Sequence, residues 1–141
     1  MKIFSTMILA LIATVAIVST VHAYDTASFT ENLKNCSEYF GSQTIDLDAI
    51  KLTTTKQIQG FKNNKCVYKE TISTKDAQYS VMCQLSRKQI SELVSVMEDF
   101  EKDSSNSSLN LNDFDAVQNT TVVNAWAKYL QDPEVCSIET K

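Results

Sequence analysis

The side chains best suited to chemistry in this 141-residue sequence are four cysteines, Cys36, Cys66, Cys83 and Cys136. Cysteine acts as a nucleophile only when its thiol is free and an activating group is at hand. A zinc site built without histidine needs all four thiolates, and the spacing here matches no zinc pattern. The one histidine, His22, falls in an apolar leader. The chain after it therefore has no usual general base and no histidine-based triad. Gly41 and Gly60 are the only glycines, too few for a phosphate-cradling loop. Carboxylate pairs can hydrolyse glycosides, and Asp46/Asp48, Glu98/Asp99 and Asp113/Asp115 are available. Each pair is explained more simply as surface charge. Asp113-Phe114-Asp115 also lacks the Asp or Asn, Gly and Glu that complete an EF-hand loop. No catalytic residue, cofactor or metal site is assigned. An even number of cysteines in an exported chain reads instead as two disulfides.

Export is the reading of the leader. Met1-Lys2 begins a short basic region, Ile3 to Val18 is almost wholly apolar and uncharged, and Val21-His22-Ala23 offers small residues for cleavage. This predicts a signal peptide over residues 1–23 and a mature chain over 24–141. An uncleaved anchor is the alternative. Removing 23 of 141 residues leaves 118, the size of one ordinary domain. The leader takes one lysine and no acid, so the mature balance is 12 − 17 = −5. That balance disfavours nucleic acid and anionic membrane as partners. A secreted or periplasmic location follows, with no stable membrane span after cleavage.

The elements that must position the cysteines can be traced by period. Phe29, Leu33, Cys36 and Phe40 recur at helical spacing behind a Ser28/Glu31 capping box, predicting a helix from Ser28 to Phe40 that Gly41 ends. Ile45 to Phe61 is rich in Thr and Ile and reads as one extended strand. Lys62-Asn63-Asn64-Lys65 then turns the chain. A three-residue loop sets Ile58 across from Tyr68, and a two-residue loop sets Phe61 against Cys66. Cys66, Tyr68 and Ile72 share one strand face, as do Tyr79, Val81, Cys83 and Leu85. A turn between Thr74 and Lys75 would bring these rows together with Cys66 opposite Cys83. A second helix starts at a Ser86/Gln89 capping box with Leu85 and Ile90 as a staple. Its buried stripe is Ile90, Leu93, Val94, Met97 and Phe100. Residues 103–108 form a Ser-rich linker. A last helix from about Asn119 to Gln131 buries Val122, Val123, Trp126 and Leu130 and stops at Pro133. Cys136 follows in a tail. The fold expected is α+β: a three-stranded antiparallel meander packed against an N-terminal, a central and a C-terminal helix. The favoured bridges are Cys66–Cys83 and Cys36–Cys136, although either hairpin cysteine could instead reach Cys36 or Cys136.

Trp126, Tyr129 and Tyr68 are candidates for a binding surface, since aromatics anchor interfaces. Trp126 on an apolar helix stripe is more often core. Asn35, Asn106 and Asn119 begin glycosylation acceptor triplets, a pattern common by chance.

Lys56-Gln57-Ile58-Gln59-Gly60 resembles the Gln-x-Val-x-Gly loop of cystatins, which implies a secreted protease inhibitor. A second resemblance is to uncharacterised small exported bacterial proteins. It rests on Cys36 with Tyr39, Ile58-Gln59-Gly60, Asn64-Lys65-Cys66-Val67-Tyr68, and Cys83 between Met82 and Gln84. These proteins carry no known activity, so the resemblance implies an extracytoplasmic bacterial domain and nothing more. The expected role is therefore a non-enzymatic exported domain that binds a protein or envelope component. A cystatin-like inhibitor is the alternative, and an acid-pair hydrolase comes third.

Overall fold

A computed structural model describes residues 26–47, 50–106 and 121–141. The leader, Asp48, Asp113, Asp115 and Asn119 lie outside the described residues, as do residues 107 and 108 of the expected linker.

Five antiparallel strands form one sheet in sequential order, not the three expected. They are β1 (Tyr39–Leu47), β2 (Ile50–Lys62), β3 (Lys65–Ser73), β4 (Gln78–Leu85) and β5 (Cys136–Thr140). The helices are α1 (Thr26–Asn35), α2 (Arg87–Asn106) and α3 (Thr121–Leu130).

Helix α1 ends earlier than its apolar period suggests, and Ser28 lies inside it rather than at its cap. Cys36 adopts a left-handed φ of 49°. Its N–H donates to the Leu33 carbonyl at 3.1 Å and the Ser37 N–H donates to the Asn32 carbonyl at 2.9 Å. That pair of bonds is a Schellman stop, with cysteine where glycine is usual. Tyr39 and Phe40, which extend the helical period in sequence, are thereby released into β1. The stretch read as one strand from Ile45 is two strands, β1 and β2, paired without interruption from Tyr39↔Ile58 to Leu47↔Ile50.

Between β2 and β3 the two-residue loop is the one present, and a bulge restores one pairing expected of the three-residue loop. Asn63 and Asn64 form a two-residue turn with φ of 50° and 62°, the signature of a type I′ hairpin. Phe61 then faces Cys66, yet Ile58 still faces Tyr68, because a bulge lies between Ile58 and Phe61. Gly60 sits in that bulge at φ 86°, where a side chain would be strained.

The β3–β4 turn spans Thr74 to Ala77, its centre one residue further along the chain than expected. Thr74 N–H donates to the Ala77 carbonyl at 2.8 Å, and Ala77 N–H donates to Thr74 Oγ1 at 3.1 Å. The threonine side chain thus closes a turn that lacks Gly and Pro. The register slips by two residues: Cys66 faces Leu85, and Cys83 faces Tyr68. A two-residue slip preserves side-chain parity, so the apolar rows still share a face.

The favoured cysteine pairing is therefore wrong. The bridges are Cys36–Cys66 and Cys83–Cys136, with Cα separations of 5.8 and 4.1 Å. Cys136 is not in a tail but in β5, directly opposite Cys83. Helix α2 begins as expected, with Ser86 N–H donating to Gln89 Oε1 at 2.8 Å and Gln89 N–H to Ser86 Oγ at 3.2 Å. It runs on to Asn106, so residues 103–106 are helix rather than linker.

The core lies on one face of the sheet, under the helices. It holds Leu52, Ile58, Tyr68, Ile72, Val81 and Leu85 from the strands, and Phe29, Leu33, Leu93, Met97 and Trp126 from the helices. The other face is mostly polar and carries hydroxyl pairs, Thr44 with Thr53 at 3.1 Å and Thr71 with Ser80 at 3.2 Å.

Candidate functional site

Strand alternation puts two opposite charges inside this core. Lys56 shares the parity of Leu52, Thr54 and Ile58 on β2, and Glu70 shares that of Cys66, Tyr68 and Ile72 on β3. They stand directly opposite each other, and each is 3% exposed. Tyr68 Oη donates to Glu70 Oε2 at 2.6 Å. Lys56 Nζ lies 5.0 Å from the Phe29 ring centroid, a cation–π contact from α1. Burial lowers the Lys56 pKa while Glu70 opposes the change. Burial raises the Glu70 pKa, countered by Lys56 and by the Tyr68 hydrogen bond. A lysine of lowered pKa is suited to nucleophilic or base chemistry. Here it is closed over by the fold, opposite Glu70 and against the Phe29 ring.

The aromatics considered as a binding surface are packed instead. Tyr68, Trp126 and Tyr129 are buried, and Tyr68 stacks tilted on Trp126 at 5.3 Å. Tyr129 keeps one polar contact, donating its hydroxyl to Glu92. Burial and that carboxylate push the Tyr129 pKa up to about 12. The Tyr129 hydrogen bond, with help from Lys128, holds Glu92 below the usual carboxylate range. All four cysteines are bridged, so none offers a thiol. Glu98 is engaged with Lys34 at 3.3 Å. Among the described residues no group of three or more His, Cys, Asp or Glu is placed to hold a metal ion, and no helix is long and apolar enough to cross a membrane. The Lys56 to Gly60 segment lies within β2, between β1 and β3.

Exposed apolar side chains occur at Ile50 and Met82 and, as a pair, at the end of the sheet where β1 begins. Phe40 is 69% exposed and Phe61 is 37% exposed. A recess of about 620 Å³ runs beside the start of β1, lined by Glu38, Tyr39, Phe40, Gln57, Gln59 and Lys62. The outer edge of β1 is unpaired among the described strands. On the helix side of the same end, a smaller recess of about 210 Å³ lies among Lys34, Phe61, Arg87, Ile90, Ser91 and Val94. Arg87 lies over Phe61, its Cζ 4.3 Å from the ring centroid.

Sequence reasoning missed each of these features except the two phenylalanines as residues. A signal for the ion pair was present, since Lys56 and Glu70 sit at core-facing parity on adjacent strands. Nothing local marks Arg87, which merely follows the Ser86 cap. No family model, curated protein or solved structure matches this chain.

Proposed function

We propose that this chain is a non-enzymatic exported binding domain, which receives an extended segment of a protein partner along the free edge of β1. One observation carries the reading. β1 presents nine consecutive residues in unbroken pairing with β2, and its sequence YFGSQTIDL contains no Lys, Arg or Pro. Edge strands are ordinarily blunted by such residues, by bulges or by shortness. An unblunted edge offers backbone donors and acceptors that another extended backbone satisfies, with side-chain recesses adding specificity. Phe40 and the recess beside it supply such a contact. Two bridges of the kind found in oxidising compartments support export. The bridged cysteines support a non-enzymatic role, because they remove the strongest nucleophile in the sequence.

The test is a photo-crosslinking residue at Ser42 on β1, with Glu139 on β5 as the control, in cells exporting the full chain. A heavier adduct from position 42 alone is expected, and Gly41→Pro should abolish it. A product at twice the chain's mass would replace the protein partner with self-pairing. No adduct at position 42 would sink the proposal.

A further inference from the structure

We propose that the recess between α1, α2 and the β2–β3 turn binds a carboxylate that carries a short apolar group. This site is separate from the β1 edge and stands without it. Its floor is apolar, formed by Phe61, Ile90 and Val94. Its polar groups are the Arg87 guanidinium, the Lys34 ammonium and the Ser91 hydroxyl. Arg87 is the binding group. Its Cζ lies 4.3 Å over the Phe61 ring centroid, a cation–π contact that restrains the side chain at the recess. Arg87 has no hydrogen bond or ion pair to any described residue, so the fork is available. Lys34 is shared with Glu98 at 3.3 Å and contributes mainly field.

Two cations, Arg87 and Lys34, line this recess in a chain of net charge −4, and they favour an anion there over a neutral ligand. The guanidinium fork suits either carboxylate or phosphate in bidentate contact. The apolar floor decides between them, because a bare phosphate has nothing to place against Phe61, Ile90 and Val94. At about 30 Å³ per water-sized group, a volume of about 210 Å³ admits roughly seven such groups. A branched monocarboxylate of four or five carbons fits that size. So does the last residue of a peptide with an apolar side chain and a free C-terminus.

The experiment is a titration of the full oxidised protein followed by amide and Arg side-chain NMR shifts. The probes are 3-methylbutanoate, 3-methylbutanamide, inorganic phosphate, and a short peptide ending in Ala-Leu with a free or amidated C-terminus. Saturable shifts at Phe61, Arg87 and Ser91 are expected with 3-methylbutanoate and not with its amide. A matching response to the free-acid peptide assigns the site to C-termini, and its absence assigns it to free acids. Arg87→Gln should weaken binding about tenfold or more, as expected for a lost charge-assisted fork. Arg87→Lys, which retains the charge, should recover only part of it. Phosphate shifting the same residues as strongly as 3-methylbutanoate would overturn the proposal, as would an unchanged response in Arg87→Gln or no saturable shift.

Discussion

β5 joins the sheet through five residues and a covalent bond, whereas β1 joins through nine residues and no bond of that kind. At the β5 edge, Cys83 and Cys136 are directly opposed and bridged. Gln78 and Lys141 exchange two backbone bonds at 3.0 and 2.9 Å beyond the strand itself. At the β1 edge, the anchors are non-covalent contacts with β2 and α1. Gly41 faces Lys56, and Tyr39 touches the Phe29 ring edge-on at 5.5 Å. One edge strand is thus fastened to its neighbour by a covalent bond. The other is aligned by the core but left open along its length. The two edge strands therefore differ in length and in how they are held, and the association proposed for β1 rests on that difference.

The largest effect that sharpens this contrast is expected from Lys56→Met. Removing one partner of a buried pair leaves the other charge without compensation and costs about 3–5 kcal/mol. Without Lys56, the pKa of Glu70 should rise further, since that cation is what opposes the burial shift. A carboxyl raised in the folded state adds stability that is present below its unfolded pKa, and that is lost as pH rises through the folded value. Urea melts should therefore show the variant's deficit shrinking as pH falls from 7.5 toward 5. A deficit that grows on acidification would overturn the account. Combining Lys56→Met with Glu70→Leu should restore much of the lost stability.

Next comes the paired change Cys83→Ser/Cys136→Ser. The bridge spans 53 residues, worth at most about 4 kcal/mol in the chain-entropy model. Hydrogen exchange should show the amides of β5 freed while those of β1 keep their wild-type rates. If β1 loosens equally, the two edges are not independently held. Cys36→Ser/Cys66→Ser, spanning 30 residues, should cost slightly less, at most about 3.6 kcal/mol, and should free the end of α1 instead.

A smaller loss, about 1–2 kcal/mol, is expected from Gly60→Ala, because the bulge holds a positive φ of 86°. The new methyl would meet the Cys36 carbonyl oxygen at an ordinary 3.9 Å, so backbone strain alone is being measured. Thermal melts are sufficient to see it. The smallest effect on folding belongs to Ser42→Lys on the outer edge, within about 0.5 kcal/mol. That same change should abolish the adduct formed from a photo-crosslinking residue placed at the exposed Thr44 of the same strand, because a lysine blunts an edge strand. Stability unchanged and association lost is the signature that separates an interface from a scaffold.

The face of each hairpin strand was legible, because alternation depends only on parity. Register was not, since it turned on whether Thr74 could close a turn without glycine. The cysteine pairing failed with it, the slip having moved Cys66 away from Cys83. β1 was hidden by Tyr39 and Phe40 falling in phase with Phe29, Leu33 and Cys36. Only the left-handed turn at Cys36, held in the folded chain, breaks that phase. β5 was too short to read, with Cys136 and Ile138 as its sole inward pair of apolar residues. The α2 cap and stripe were readable because both are local. The open end, by contrast, is assembled from α1, α2, β1 and β2, and no window of sequence contains it.

Both bridges are enclosed: Cys66 and Cys83 show no exposure, and Cys36 and Cys136 show 4%. A soluble thiol reductant cannot attack a sulfur it does not reach. Reduction must wait for the surrounding structure to part, which makes each bridge a clock for the opening of its own neighbourhood. The rate at which Cys83–Cys136 yields reports how often the β5 edge lifts, and the rate at Cys36–Cys66 reports the same for the junction of α1 with β3. The protein thus carries two internal timers, one for each way it can come apart.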